Sequence, residues 1–282
     1  MSSFIIIGGD KRMLYAAETL ENCHLCGFSR LIPCTEEIGS DICDYAVLPP
    51  QKSSDGINIP CPYSDILVPY SILGKVLRPG GTVFTGNICE TLENVCAENG
   101  FRLVNYFERE ELAVRNAVLT AEGAVAIVIN ECSHSVSGAG ILITGFGRIA
   151  KILAKYFVAM GAEITVACRK ACDREWAGIY GCKAIDITDK AAFVTAVSAA
   201  AVILNTVPAG IIGDGEKTAM RKDALYAELA SSDGICGEIP SHIKYIAARG
   251  LPGKTAPAAA GAIIADTIFN ILSEERRKGY EQ

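Results

Sequence analysis

The chain has 282 residues, half of them hydrophobic and 21% charged, with a formal net charge of −6. That length suits two domains rather than a single core, the apolar content excludes a disordered chain, and two domains lead us to expect a cleft. The acidic balance, without any long Lys/Arg block, argues against a nucleic-acid or anionic-membrane surface and favours a small polar ligand.

The first apolar run, Phe4 to Ile7, is only four residues long before glycines and charges, so it reads as a strand and not as a signal peptide. Gly8-Gly9-Asp10 follows as a turn, with Asp10 placed to cap a helix whose apolar face carries Met13, Leu14, Ala17 and Leu20. Further strands are expected at 24–27, 45–48, 82–85 and 102–105, and helices at 69–77 and 88–99. This alternation implies a parallel sheet covered by helices. The charged patch Glu108-Arg109-Glu110-Glu111 then opens a long helical segment, expected to break around Thr120 to Gly123 with Thr120 capping its second part. Ser133 to Gly140 is small and polar, a loop before a second sheet.

From Ile141 the α/β alternation resumes. A helix over 148–160 would bury Ile149, Ile152, Leu153, Tyr156, Phe157 and Met160 as one stripe. Strands are expected at 163–168, 183–185, 201–205 and 225–230, with another near Tyr245. A final helix from about 258 ends in the charged run 274–278. The expected architecture is therefore α/β, with two doubly wound parallel-sheet domains. Residues 1–112 form a substrate-side domain, 113–257 a dinucleotide-binding domain begun by the connecting helix, and 258–282 a C-terminal helix free to return to the first domain.

No run of about 18 uncharged apolar residues is found, Asp266 interrupting the C-terminal stretch, so we expect no membrane span and a cytoplasmic location. Twelve scattered cysteines then read as reduced, buried side chains. Cys23 and Cys26 have the spacing of a metal knuckle, but no second pair follows, and packing with no metal is expected.

Gly145-Phe146-Gly147-Arg148-Ile149-Ala150 is GxGxxA between a strand and a helix, the context in which that pattern binds dinucleotides. Gly145 allows the tight turn, Gly147 the approach of a pyrophosphate to backbone, and Ala150 close packing of helix on sheet. The second strand ends in Arg169-Lys170, where an acidic residue would bind an unmodified ribose; two cations attract a 2′-phosphate, which selects NADP. A solvated basic turn is the alternative. Asn205-Thr206-Val207-Pro208, after a buried strand at the same sheet edge, is placed to contact the ribose or nicotinamide. Gly8-Gly9-Asp10-Lys11-Arg12 lacks the third small residue, so no second nucleotide site is expected.

Several segments together resemble the family of A-type subunits of dipicolinate synthase: IIIGGDKRMLYAAETL, YFEREELAVRNAVLTAEGAVAIVIN, the GFGRIA turn ending in CRK, NTVP and GLPGKTAPAAAG. They occur in the family's order along almost the whole chain. Leu119 stands where the family pattern has proline. The resemblance implies an N-terminal flavodoxin-like domain and a Rossmann domain, arranged as in formate/glycerate dehydrogenases. It further implies a flavoprotein-like B-type subunit for a partner, and conversion of the dihydrodipicolinate synthase product to dipicolinate in the mother cell of a spore-forming bacterium. A homo-oligomer is also expected.

A dicarboxylate substrate wants cationic or amide donors, and Arg109, Arg115, Asn116 and Lys254, in the family-like segments, are candidates. Glu122 is the candidate base or orienting carboxylate, although a first-turn Glu is favoured by the helix dipole in any case. His134 is the candidate titrating residue. Two other readings stay open: a stand-alone dehydrogenase of 2-hydroxy or amino acids, and a non-catalytic protein that senses NADP.

Overall fold

A computed structural model describes residues 2–32 and 42–280. The chain divides into two compact units, Met1–Asn116 with Ala256–Gln282, and Ala117–Thr255.

In the first unit the elements run β1 (Phe4–Ile7), α1 (Lys11–Thr19), β2 (Cys23–Cys26), β3 (Cys43–Val47), the short strands β4 (Asn58–Ile59) and β5 (Val68–Pro69), a single turn α2 (Leu73–Val76), β6 (Leu77–Thr85), α3 (Glu90–Asn99) and β7 (Arg102–Asn105). Its five-stranded sheet has the order β2-β1-β3-β6-β7 with every pairing parallel, the flavodoxin-like arrangement. Alternation along β1 assigns its faces: Ile5 and Ile7 join a core with Leu73, Leu92 and Cys96, while Phe4 turns to the other side and meets Phe269 edge to face. The expected helix at 69–77 is reduced to a 3-10 turn and one α-turn, because β6 already begins at Leu77. Asp10 caps α1 as expected, accepting from the Arg12 N–H at 3.0 Å.

The second unit contains β8 (Gly140–Thr144), α5 (Arg148–Ala159), β9 (Glu163–Cys168), α6 (Ala171–Ile179), β10 (Lys183–Asp186), α7 (Lys190–Ala199), β11 (Val202–Asn205), α8 (Asp214–Ala219), β12 (Leu225–Glu228), β13 (Lys244–Ala247) and α9 (Leu251–Thr255). The sheet order is β10-β9-β8-β11-β12-β13, all parallel, which is the doubly wound Rossmann order. Ile141 and Ile143 face α5 through Leu153, Ala154 and Phe157; Leu142 faces the opposite layer with Phe193 and Val197 of α7. Ala150 is fully buried, so the small residue of the glycine motif does bring helix and sheet together.

The division between the units falls within α4 (Glu110–Glu131), a continuous helix. The expected break at 120–123 is corrected. Leu119, where proline would interrupt the ladder, lets the helix continue, and Gly123 is needed for packing, since a Cβ there would stand 3.1 Å from Leu251 Cβ and Thr255 Oγ1. By length and composition alone α4 is apolar enough to cross a membrane, with a mean hydropathy of 1.7, although Arg115 and Glu122 keep it from being an uncharged run. Ala121, Ala124 and Val128, buried in the core of the second unit, account for that composition.

In the first unit α10 (Pro257–Tyr280) packs along α1. Its small residues permit close approach, and a Cβ on Gly261 would stand 2.7 Å from Tyr15 Cβ and 2.8 Å from the Ala16 nitrogen. Gly261→Ala is therefore expected to cost about 1–3 kcal/mol of stability by overpacking, measured by urea unfolding against wild type.

Cys23 and Cys26 lie on β2, the first half-buried and the second buried, and burial pushes their thiols up to about 12 and about 11. Thiols held protonated are poor metal ligands and poor nucleophiles. The described cysteines are free, and Cys34 lies outside the described residues.

Candidate functional site

A cavity of about 340 Å³ opens at the carboxyl edge of the second unit's sheet, where β8, β9 and β11 end around the switch in strand order. Three of its walls are the predicted segments: Gly145, Phe146 and Gly147 after β8, Arg169 and Lys170 after β9, and Thr206, Val207 and Pro208 after β11. Gly145 has φ +80°, a conformation that disfavours any side chain, and its missing Cβ would press on Thr206 Oγ1 at 2.9 Å and Val207 Cγ2 at 3.0 Å. A Cβ on Gly147 would meet nothing within 4 Å. That open space, beside the N-terminus of α5 where no side chain supplies a cap, fits the pyrophosphate of a dinucleotide.

One predicted contact is corrected. Asn205 is fully buried and does not line the cavity. Its Oδ1 accepts from Thr144 Oγ1 at 2.5 Å and the Val207 N–H at 3.1 Å, while its Nδ2 donates to the Val207 carbonyl at 3.0 Å and Glu228 Oε1 at 2.6 Å. Asn205 thus shapes the Thr206–Pro208 wall from beneath. Arg148 and Ile149 do not line the cavity, Ile149 packing partly buried against the hydrophobic core, and what they offer a ligand is the backbone N–H groups of the first turn of α5.

Glu228, fully buried at the end of β12, is a residue that sequence reasoning misses. Besides Asn205 it accepts from the backbone N–H groups of Ala230 at 3.2 Å and Gly234 at 2.7 Å and from Tyr226 Oη at 3.2 Å. Burial, and next the Glu228 charge, push the Tyr226 hydroxyl far above its ordinary value, which keeps it a donor. Tyr226, Ala230 and Gly234 are near neighbours of Glu228 in the chain, but the partner that ties it to the cavity wall, Asn205, meets it only across the sheet.

His134 is corrected as a catalytic candidate at the nucleotide cavity. It precedes β8 and pairs through Nε2 with Asp223 Oδ2 at 2.8 Å, just before β12, so it lies at the amino edge of the sheet, opposite the cavity. Arg109 is held by Glu274 at 2.6 and 2.8 Å and by Glu111 at 2.8 Å, and Arg115 by Asp266 at 2.8 Å, all within the first unit. Asn116 is half-buried with contacts of its own. Glu122 and Lys254 are exposed, on α4 and α9, two helices brought together where Gly123 meets Leu251. Among the described residues no cluster suited to a metal occurs.

Fold and cavity together define a protein of Rossmann type, one unit carrying a cavity at its glycine turn and the other a flavodoxin-like sheet. Residues 3–107 match the family model described as the N-terminal domain of the A-type subunit of dipicolinate synthase. The chain is 26% identical, over 95% of its own length and 95% of the relative's, to the A-type dipicolinate synthase subunit of Bacillus subtilis (strain 168). Its structure resembles that of the corresponding dipicolinate synthase subunit from Bacillus halodurans with a TM-score of 0.81 at 24% identity, covering 96% of this chain and 97% of the other. An L-alanine dehydrogenase shares the fold with a TM-score of 0.65 at 11% identity, covering 98% and 91%. The resemblance to the A-type subunits of dipicolinate synthase read from the sequence is thereby shown along the chain.

Proposed function

We propose that this chain is the NADP-linked oxidoreductase subunit of a dipicolinate synthase, acting in the cytoplasm with a flavoprotein-like B-type subunit on the product of dihydrodipicolinate synthase. The observation that carries the reading is the cavity, with its glycine turn, uncapped helix N-terminus and Arg169-Lys170 rim, in a chain that resembles that family over 95% of its length. Converting a dihydropyridine dicarboxylate to the aromatic pyridine removes a hydride and a proton. The nicotinamide, when bound, accepts the hydride.

The chain's own residues do the rest. Gly147 and the first turn of α5 receive the pyrophosphate; Arg169 and Lys170 pair with the 2′-phosphate. Thr206, whose hydroxyl donates to the Thr144 carbonyl at 2.6 Å, and Val207 and Pro208 form the far wall of the cavity. Of the candidate cations Lys254 is the one without an ion pair among the described residues, and it takes a substrate carboxylate, with Glu122 the acceptor of the proton. Arg109 and Arg115 could serve only by giving up their carboxylate partners, and Asn116 remains an amide donor to test beside them.

The deciding assay is dipicolinate formation from freshly generated dihydrodipicolinate synthase product, with NADP or NAD, with and without the B-type subunit. Product that requires this chain and forms faster with NADP supports the reading. No product under any combination, with NADP bound, would overturn the dipicolinate assignment. Arg169→Asp is expected to shift the NADP/NAD affinity ratio toward NAD by about 100-fold, since it replaces a phosphate partner by a repelling carboxylate. An unchanged ratio in calorimetric titrations would remove the 2′-phosphate site.

A further inference from the structure

β9 and β10 end side by side, with Cys168 and Asp186 paired in register. Beyond that edge no ladder holds the chain, yet Arg169 and Lys170 must stand at the cavity rim. The side chain that holds this turn is Arg174, in α6. Its Nη1 donates to the Cys168 carbonyl at 3.2 Å and the Arg169 carbonyl at 2.8 Å, and lies 3.1 Å from Asp186 Oδ2. Asp186 is itself anchored, accepting from the Thr188 N–H at 2.9 Å and its hydroxyl at 2.7 Å. These two bonds, with Arg174 adding, hold its carboxyl below the ordinary range. Arg174 does not line the cavity, whereas Arg169 and Lys170 do.

Building on the cofactor reading above, we propose that Arg174 is a positioning residue for cofactor specificity. It ties the two carbonyls at the end of β9 to Asp186 on the neighbouring strand and so holds Arg169 and Lys170 where they meet a 2′-phosphate. The charges around the cavity explain why position matters. Arg174 and Asp186 neutralise each other, which leaves the two lining cations against Asp173, the one carboxylate among the lining residues. With a margin of a single positive charge, a turn free to move lets Asp173 pair with one of the cations, and the preference for a phosphorylated ribose disappears. The same turn in place presents both.

The test is calorimetric titration of the full-length chain with NADP and with NAD, for wild type, Arg174→Ala and Asp186→Asn. Arg174→Ala is expected to weaken NADP about tenfold or more while NAD stays within about twofold. Asp186→Asn keeps the arginine's charge and an acceptor for Thr188 but removes the anchor; the NADP/NAD ratio is expected to fall by about threefold or more. If Arg174 met the phosphate directly, Asp186→Asn would free the guanidinium and raise NADP affinity. That result overturns the inference, as does equal weakening of both cofactors, which a purely structural role predicts, or a ratio unchanged in Arg174→Ala. A wild type without NADP preference would instead refute the cofactor reading itself.

Discussion

Gly147→Val is expected to unfold at the wild-type temperature and to lose most of its affinity for nucleotide. A Cβ at this position meets nothing within 4 Å, so the new side chain branches from open space. The backbone there has φ −81° and ψ −165°, which any residue adopts, so no strain is added. The space the valine fills is the approach to the N-terminus of α5, and a pyrophosphate kept away from those N–H groups loses both their hydrogen bonds and the helix field. Affinity for NADP and NAD should fall together by about 100-fold or more, roughly 3 kcal/mol. Calorimetry and a melting curve on the same sample check it. Binding within a few fold of wild type would mean that the dinucleotide does not lie on this turn. Gly145→Val is a poorer probe, because its φ of +80° and the nearby Thr206 and Val207 make loss of stability inseparable from loss of binding.

The largest effect on stability is expected from Glu228→Ala. Four donors converge on this fully buried carboxylate: Asn205 Nδ2, Tyr226 Oη and the N–H groups of Ala230 and Gly234. Each buried donor left without an acceptor costs about 1–3 kcal/mol, and water entering the vacated space recovers part, so a net loss of about 3–5 kcal/mol is expected. Glu228→Gln keeps the shape but turns an N–H group toward a donor, which should cost about 1–3 kcal/mol. Urea unfolding of both variants measures this, and losses below about 0.5 kcal/mol in both would refute the network's structural weight. Because Asn205 also grips Val207 through both backbone groups, both variants should weaken nucleotide binding even where they remain folded.

What could be read from the sequence alone was local. The glycine turn, its two basic residues, the Asp10 cap and the apolar alternation of the strands each rest on residues a few positions apart, where backbone geometry and periodicity act directly. The tertiary structure decided what depends on distant partners. Arg109 and Arg115 look like free cations until Glu274 and Asp266, 165 and 151 positions away, neutralise them. Asn205 looks like a ligand contact until β12 brings Glu228 against it and buries both. His134 looks available until strand direction assigns it to the edge of the sheet opposite the cavity. Arg174 gives no signal at all in a helical stretch, because its meaning lies in two carbonyls and a carboxylate that only the pairing of β9 with β10 assembles. A short motif carries its own geometry, whereas the state of a charge is set by whatever the fold places beside it.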